Sequence, residues 1–376
     1  MHQSPRVAVV GAGAFGGWTA LHLRRKGAAV TLVDAWGPGN SRASSGGETR
    51  VIRGGYGADR IYVDLVVRSF ELWKEAEARW KRRLYHRTGA LWLVHAADDA
   101  YERAFVPILR AAGLEVDELT TADAQRRFPQ ISFDGVSRAI YEHEAGYLLA
   151  RRSCQAVQEA AVAEGVDYRQ RSVSPRRDAK GRATGLELSD GNTIEADAYV
   201  FACGPWLSEL FPELAPPVSP TRQEVFYFGT QAADARYLEA SCPVWIDRGE
   251  RVFYGIPGNE WRGFKVADDS RGSAFDPTSS DRRPSEEGIK AARAYLEMRF
   301  PGMKGAPLLE SRVCQYEQSP DGHFIIDRHP ASANVLLVGG GSGHGFKHGP
   351  AVGELAAANV LGEKPLDPFF SLARFR

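Results

Sequence analysis

The residues best suited to chemistry lie near the two ends of the chain. Arg6–Val10 leads into Gly11-Ala-Gly13-Ala-Phe-Gly16, an apolar-periodic stretch to about Lys26, a second apolar run over Ala29–Val33, and then Asp34. Strand, G-x-G-x-x-G, helix, strand and acid is the order that a dinucleotide requires. Gly11 permits the tight turn, Gly13 lets the backbone approach a pyrophosphate, and Gly16 lets helix and strand pack closely. The helix N-terminus turns N–H groups and a positive dipole end toward phosphates, and Asp34 can accept hydrogen bonds from ribose hydroxyls. This pattern does not separate NAD from FAD. At the other end, Val335–Val338 runs into a glycine-rich turn, Gly339–Lys347, flanked by His344 and Lys347. Its backbone N–H groups and the following helix N-terminus would converge on one edge of a ligand, an oxyanion-type arrangement. Thr49-Arg50-Val-Ile-Arg53 sets two arginines at a T-R-x-x-R spacing on a loop rather than on a charged helix face.

The stretch RVCQYEQSPDGHFIIDRHP, from Arg312, and NVLLVGGGSGHGFKHGP, ending at Pro350, specify more. The segment Cys314-x-Tyr316 with Ser319-Pro320-Asp321, continuing to Lys347, resembles the flavin-attachment and active-site region of the monomeric sarcosine oxidase family of amine oxidases. The resemblance implies FAD bonded through the Cys314 sulfur to its 8α carbon. It implies a loop after Asp34 that wraps the pyrophosphate, with Arg42 and Ser44 near the phosphates and Arg50 beside the flavin ring. Gly341, Gly343 and Gly345 would face the flavin edge. Arg53 and Lys347 match the family's carboxylate clamp, which adds charge-assisted bonds and orientation. Lys265, in an ordinary reading a solvated lysine, aligns with the lysine that activates oxygen; Tyr254 aligns with an active-site tyrosine, and Tyr316 would lie near the site. Sarcosine oxidases carry histidine where this chain has Asp269 and methionine where it has Trp245. These departures point away from sarcosine, toward a larger or cyclic amino acid.

The elements that must position these residues read as follows. Ala35–Arg53 is rich in turn formers and reads as a long functional loop. Asp59–Arg83, Asp98–Ala112, Ala150–Glu164 and Pro284–Phe300 read as helices, the last capped by Ser285. Tyr85–His95, Tyr199–Cys203, Glu224–Phe228, Val244–Asp247 and Val252–Ile256 read as strands, and Thr184–Asp197 as a hairpin about Asp190-Gly191. The residues alone give a mixed α/β fold. The resemblance implies a Rossmann-type FAD-binding domain (residues 1–85, 146–215 and 312–376) with an inserted mixed β-sheet substrate domain (86–145 and 216–311).

Composition sets the outer bounds. A chain of 376 residues buries a full core. Lys plus Arg and Asp plus Glu are 47 each, which argues against a nucleic-acid partner. The four cysteines lack metal-ligand spacing, so no metal site is expected. No run is apolar over the ~20 residues that a membrane span needs, and the apolar start at Val7 lacks the build of a signal peptide. The expectation is a cytoplasmic, monomeric oxidase of a secondary or primary α-amino acid, with oxygen as acceptor and hydrogen peroxide as product. The alternatives are a flavin dehydrogenase serving a quinone or partner protein, and an FAD-binding subunit of a larger complex.

Overall fold

In the computed structural model of the chain, which describes residues 4–96, 98–214, 218–232 and 234–375, most strands gather into two large sheets. The first has six strands in the order Ile325–His329, Ser332–Gly339, Ala198–Phe201, Arg6–Val10, Ala29–Asp34 and Asp167–Gln170. All neighbours pair in parallel except the first two. Arg6–Val10 is buried at four of five positions, as a central parallel strand covered on both faces must be. The helix Ala14–Arg25 crosses one face between Ala150–Ala163 and Gly349–Val360. Two glycines make the first turn possible. Gly11 takes φ +101°, and a Cβ there would lie 2.3 Å from the Ala202 carbonyl oxygen; a Cβ on Gly16 would lie 1.9 Å from the Gly11 carbonyl oxygen.

The second sheet has eight strands: Leu308–Gln318, Ser219–Phe228, Phe264–Asp268, Val252–Ile256, Val244–Arg248, Ala90–Val94, Arg138–Glu142 and Val116–Thr120. Only Val244–Arg248 and Ala90–Val94 run parallel. Side chains alternate across it with period two. Trp245, Phe253, Phe264 and Val266 enter one core with Tyr295, Leu296 and Phe300 of the helix Glu286–Arg299 and the turn after it. Ile246, Arg248, Val252, Tyr254, Lys265 and Asp269 belong to the other face, toward the first sheet. The expected domain limit at 311/312 falls inside the single strand Leu308–Gln318, which pairs with Ser219–Phe228 along its length. The expected limit at 215/216 lies outside the described residues.

The loop expected over Ala35–Arg53 closes sooner. Thr49–Ile52 is a strand paired antiparallel with Gly146–Leu149, because the alternating Thr-Arg-Val-Ile run finds a partner edge. No described helix is long and apolar enough to cross a membrane.

Candidate active site

Between the sheets lies a cavity of about 380 Å³, lined by Gly11, Gly13, Asp34, Ser44 and Arg50 from the N-terminal half and by Tyr316, Glu317, Gly341, Gly343 and Gly345 from the C-terminal half. A smaller cavity of about 130 Å³ adjoins it, and Arg50, Tyr316, Gly343 and Phe346 line both. An elongated ligand fits the first, and a small reactant fits the second beside its end. The glycines are structural necessities of this shape: a Cβ on Gly343 would lie 2.6 Å from the Tyr316 ring. Asp34 is already engaged with its own turn. One carboxylate oxygen accepts the Ala12 N–H at 2.8 Å, and the other accepts those of Trp36 and Gly37 at 2.9 and 2.7 Å. Burial raises its carboxyl, and these three N–H groups oppose the shift. The oxygen bonded only to Ala12 keeps a lone pair for a hydroxyl.

Cys314 and Tyr316 stand on one side of the strand Leu308–Gln318 by its period of two; Tyr316 lines both cavities, whereas Cys314 is not among the residues lining either. Arg50 donates to the Cys314 sulfur at 3.3 Å and to the Ser44 and Thr49 carbonyls at 2.6 and 2.9 Å. One guanidinium therefore ties the loop, the strand and the sulfur together. Arg42 departs from expectation. It donates to the Thr278 carbonyl at 2.6 Å and does not line the cavity, whose wall there is Asn40, Ala43, Ser44 and Ser45. The glycine turn also offers fewer free amides than its length suggests. The N–H groups of Ser342, His344 and Gly345 bond to carbonyls of Glu317 and Gly341, and a 3₁₀ turn over Phe346–His348 precedes the helix.

The smaller cavity holds a cluster of cations. Arg53 donates to the Gly55 carbonyl, and its guanidinium carbon lies 4.7 Å from the Tyr56 ring centre and 4.9 Å from that of Trp92. Lys347 is 3% exposed and donates to the Tyr56 hydroxyl at 2.7 Å and to the His344 carbonyl at 2.9 Å. Burial and the Arg53 charge hold its ammonium well below the ordinary lysine range, while Asp269 and Glu142 oppose the shift. Lys265 is not among the residues lining either cavity; it is 1% exposed, on an interior strand beside the pocket-lining Tyr254. Its Nζ donates to the Thr49 carbonyl at 3.1 Å and lies 5.4 Å from the Tyr254 ring centre. Burial, with Arg50 beside it, pushes its pKa down to about 7. Asp269 accepts the Tyr316 hydroxyl at 2.6 Å. Burial raises its carboxyl, against the pull of Tyr316, Arg53 and Lys347. His344 is fixed as an Nε2–H donor to the Gly322 carbonyl at 3.0 Å, with Nδ1 3.2 Å from the Tyr56 hydroxyl. Burial and Lys347 push its pKa down to about 3, so it stays neutral and orients Tyr56 rather than carrying charge.

One expected pocket residue is elsewhere. Trp245 is fully buried on the opposite face, 5.3 Å from the Tyr295 ring and 5.1 Å from that of Phe300. Its neighbour Ile246 lines the pocket instead. The reason is the strand period: one residue along a strand changes the face. Sequence reasoning also missed several residues. Glu317 lines the larger cavity and accepts the Gly340 N–H at 3.0 Å; burial raises its pKa to about 7. Tyr56, Trp92 and Arg248 sit at or beside the substrate-sized pocket. Glu142, 3% exposed, accepts from the Gly54 and Gly55 N–H groups at 2.6 and 3.2 Å and from Trp92 Nε1 at 2.6 Å. The Gly54-Gly55 pair after Arg53 was the available signal, since bare amides in a row invite a carboxylate.

Glu142 thus fixes both the loop that carries Arg53 and the ring on which Arg53 lies. Glu142→Gln replaces one acceptor by an NH₂ facing an N–H donor. The expected cost is roughly 1–3 kcal/mol, read as a rise of about 10- to 100-fold in KM for a carboxylate substrate with a smaller change in kcat. Steady-state kinetics on the folded variant checks this; an unchanged KM removes the positioning role.

Comparison with known proteins bears on this geometry. Residues 6–359 match the family described as FAD dependent oxidoreductase. The chain is 32% identical over 363 residues to the monomeric sarcosine oxidase of Bacillus sp. (strain B-0618), covering 94% of this chain and 92% of that protein. It is 30% identical over 378 residues to the N-methyl-L-tryptophan oxidase of Salmonella heidelberg (strain SL476), covering 98% of each. The L-proline dehydrogenase from P. horikoshii shares the fold, with a TM-score of 0.86 over 100% of this chain and 98% of that one at 21% identity.

Proposed function

We propose that this chain, which belongs to the FAD dependent oxidoreductase family and is an oxidoreductase of amino or imino compounds, oxidises a secondary or primary α-amino acid with oxygen as acceptor. The observation that carries the reading is the pairing of Arg53 and Lys347 around a small cavity that opens onto the dinucleotide-sized one. The glycine turns, the cavity of about 380 Å³ and the carboxylate of Asp34 fit FAD. Bound there, FAD supplies the two-electron oxidation of the substrate's C–N bond, and the resulting imine hydrolyses to an oxo compound. We infer that Cys314 would carry the cofactor covalently through sulfur, with Arg50 holding that sulfur in place from 3.3 Å.

The chain's own residues divide the remaining work. Arg53 and Lys347 hold the substrate carboxylate, and that anion returns to Lys347 the charge that burial disfavours. Asp269, with Tyr316 donating to it, is an acceptor for the substrate N–H. Lys265, cationic below its depressed pKa of about 7, would supply positive charge where oxygen accepts electrons, which favours oxygen over a quinone or partner protein. We take the protein to be cytoplasmic and monomeric.

A peroxide assay over N-methyl, cyclic and free amino acids tests the reading. Turnover should require the carboxylate, and sarcosine should be poor, since Asp269 adds an acceptor that suits a better-equipped substrate. Sarcosine as the best substrate removes that preference. Equal turnover of decarboxylated analogues removes the clamp. Full turnover with an artificial acceptor and none with oxygen makes the protein a dehydrogenase.

A further inference from the structure

Arg248 lines the smaller cavity together with Arg53 and Lys347, and no role in the chemistry above uses it. It belongs to the strand Val244–Arg248, two residues beyond the pocket-lining Ile246. Its guanidinium carbon lies 4.1 Å from the centre of the Tyr101 ring. The Tyr101 hydroxyl bonds to the Gly55 carbonyl at 3.2 Å, the same oxygen to which Arg53 donates. Tyr101 therefore separates two guanidiniums, one at its hydroxyl end and one over its face. The partner of Arg248 is Glu102, 1% exposed, with Nε and Oε1 3.0 Å apart. That contact is made at the Nε edge of the guanidinium, and Nε makes no directed hydrogen bond there. The two Nη atoms make no hydrogen bond among the described residues, yet they are not among the enclosed unpartnered atoms, so they remain accessible. Glu102 is buried while the Arg248 side chain is 29% exposed, so the pair is half withdrawn from water and is a weak stabiliser. An open fork of two N–H edges facing a substrate-sized cavity matches a planar carboxylate.

We propose that the substrate is an amino acid with a second carboxylate, on its nitrogen substituent or side chain, and that Arg248 binds that group while Arg53 and Lys347 bind the first. This rests on the reading of the smaller cavity as the substrate site. Arg248 then selects among amino acids: a substrate without the second carboxylate leaves its fork unpaired in the pocket, and specificity follows from that difference.

Two thioether probes that lack the oxidisable amine separate this inference from the reading beneath it. Methylthioacetate offers one carboxylate, and thiodiacetate offers two on the same skeleton. Isothermal titration calorimetry on the purified protein with its flavin should find thiodiacetate bound about 10- to 100-fold more tightly, the range that one charge-assisted pair gives. In Arg248→Met the ratio should fall toward one. Arg248→Lys should lie between, since an ammonium keeps the charge and loses the fork. If Arg248→Met fails to fold beside the abandoned Glu102, the wild-type ratio and the lysine variant decide. Methylthioacetate binding as well as thiodiacetate in the wild type overturns the second anchor and leaves the carboxylate clamp standing. A preference for thiodiacetate that survives in Arg248→Met overturns the assignment to Arg248. Neither probe binding overturns both the anchor and the clamp.

Discussion

Cys314→Ser is expected to free the flavin completely on unfolding, where the unaltered protein keeps it. A thioether survives acid and detergent, whereas a non-covalently held cofactor leaves when the cavity that encloses it is lost. The wild-type chain should therefore carry yellow fluorescence into a denaturing gel and through acid precipitation, and the serine variant should carry none. The geometry behind this is local: the sulfur lies on the same side of its strand as Tyr316, with the Arg50 guanidinium 3.3 Å away. Because serine fills nearly the same space, the variant should fold and still bind FAD reversibly through the glycine turns. Flavin that washes off the wild-type chain in acid removes the covalent bond from the account and leaves the FAD-binding cavity intact.

The second large effect concerns Lys265. When oxygen accepts electrons, negative charge develops beside the cofactor, and a fixed ammonium stabilises it. At about 4 Å and an effective dielectric near 20, the attraction is roughly 4 kcal/mol. If all of that appears in the transition state, the rate effect is ~10³-fold. Lys265→Met should slow reoxidation by oxygen to that extent while changing anaerobic reduction by substrate far less, and stopped-flow absorbance follows the two steps separately. The sign of the pH dependence follows from the depressed pKa. Burial and Arg50 bring Lys265 to about 7, so it is cationic below that value and neutral above it. The wild-type oxygen step should lose rate as pH rises through this region, and the methionine variant should be flat. A variant that reoxidises at the wild-type rate reduces Lys265 to a buried lysine with no part in the oxygen step.

The local elements were legible because their signals are local. The helix Ala14–Arg25, the flanking strands and Asp34 follow from glycine spacing and short-range periodicity, and they appear where that pattern places them. The Ser285 cap of the helix Glu286–Arg299 is an equally short-range fact. Nothing in composition or local periodicity brings Cys314, Arg53, Lys265 and Lys347 together, because they are too distant in sequence for short-range signals to link them.

What tertiary structure alone decided is which face and which partner. A strand reverses its face at each residue, so a reading that places Val244–Asp247 in a strand cannot tell Trp245 from Ile246 until the pairing with Val252–Ile256 and Ala90–Val94 fixes the face. Lys265 resembles a surface lysine in its neighbourhood of Arg262, Gly263, Asp268 and Asp269, and becomes buried only because strands on both sides enclose it. Glu142 and Arg248 carry no motif; their roles arise where the loop after Arg53 meets two strands of the large sheet. The sequence by itself determined a dinucleotide turn, a glycine turn bearing a lysine, and the helices and strands that short-range patterns encode. The tertiary structure decided the pocket, because a pocket is a set of long-range contacts, and side-chain periodicity gives orientation only after the partners on either side are known.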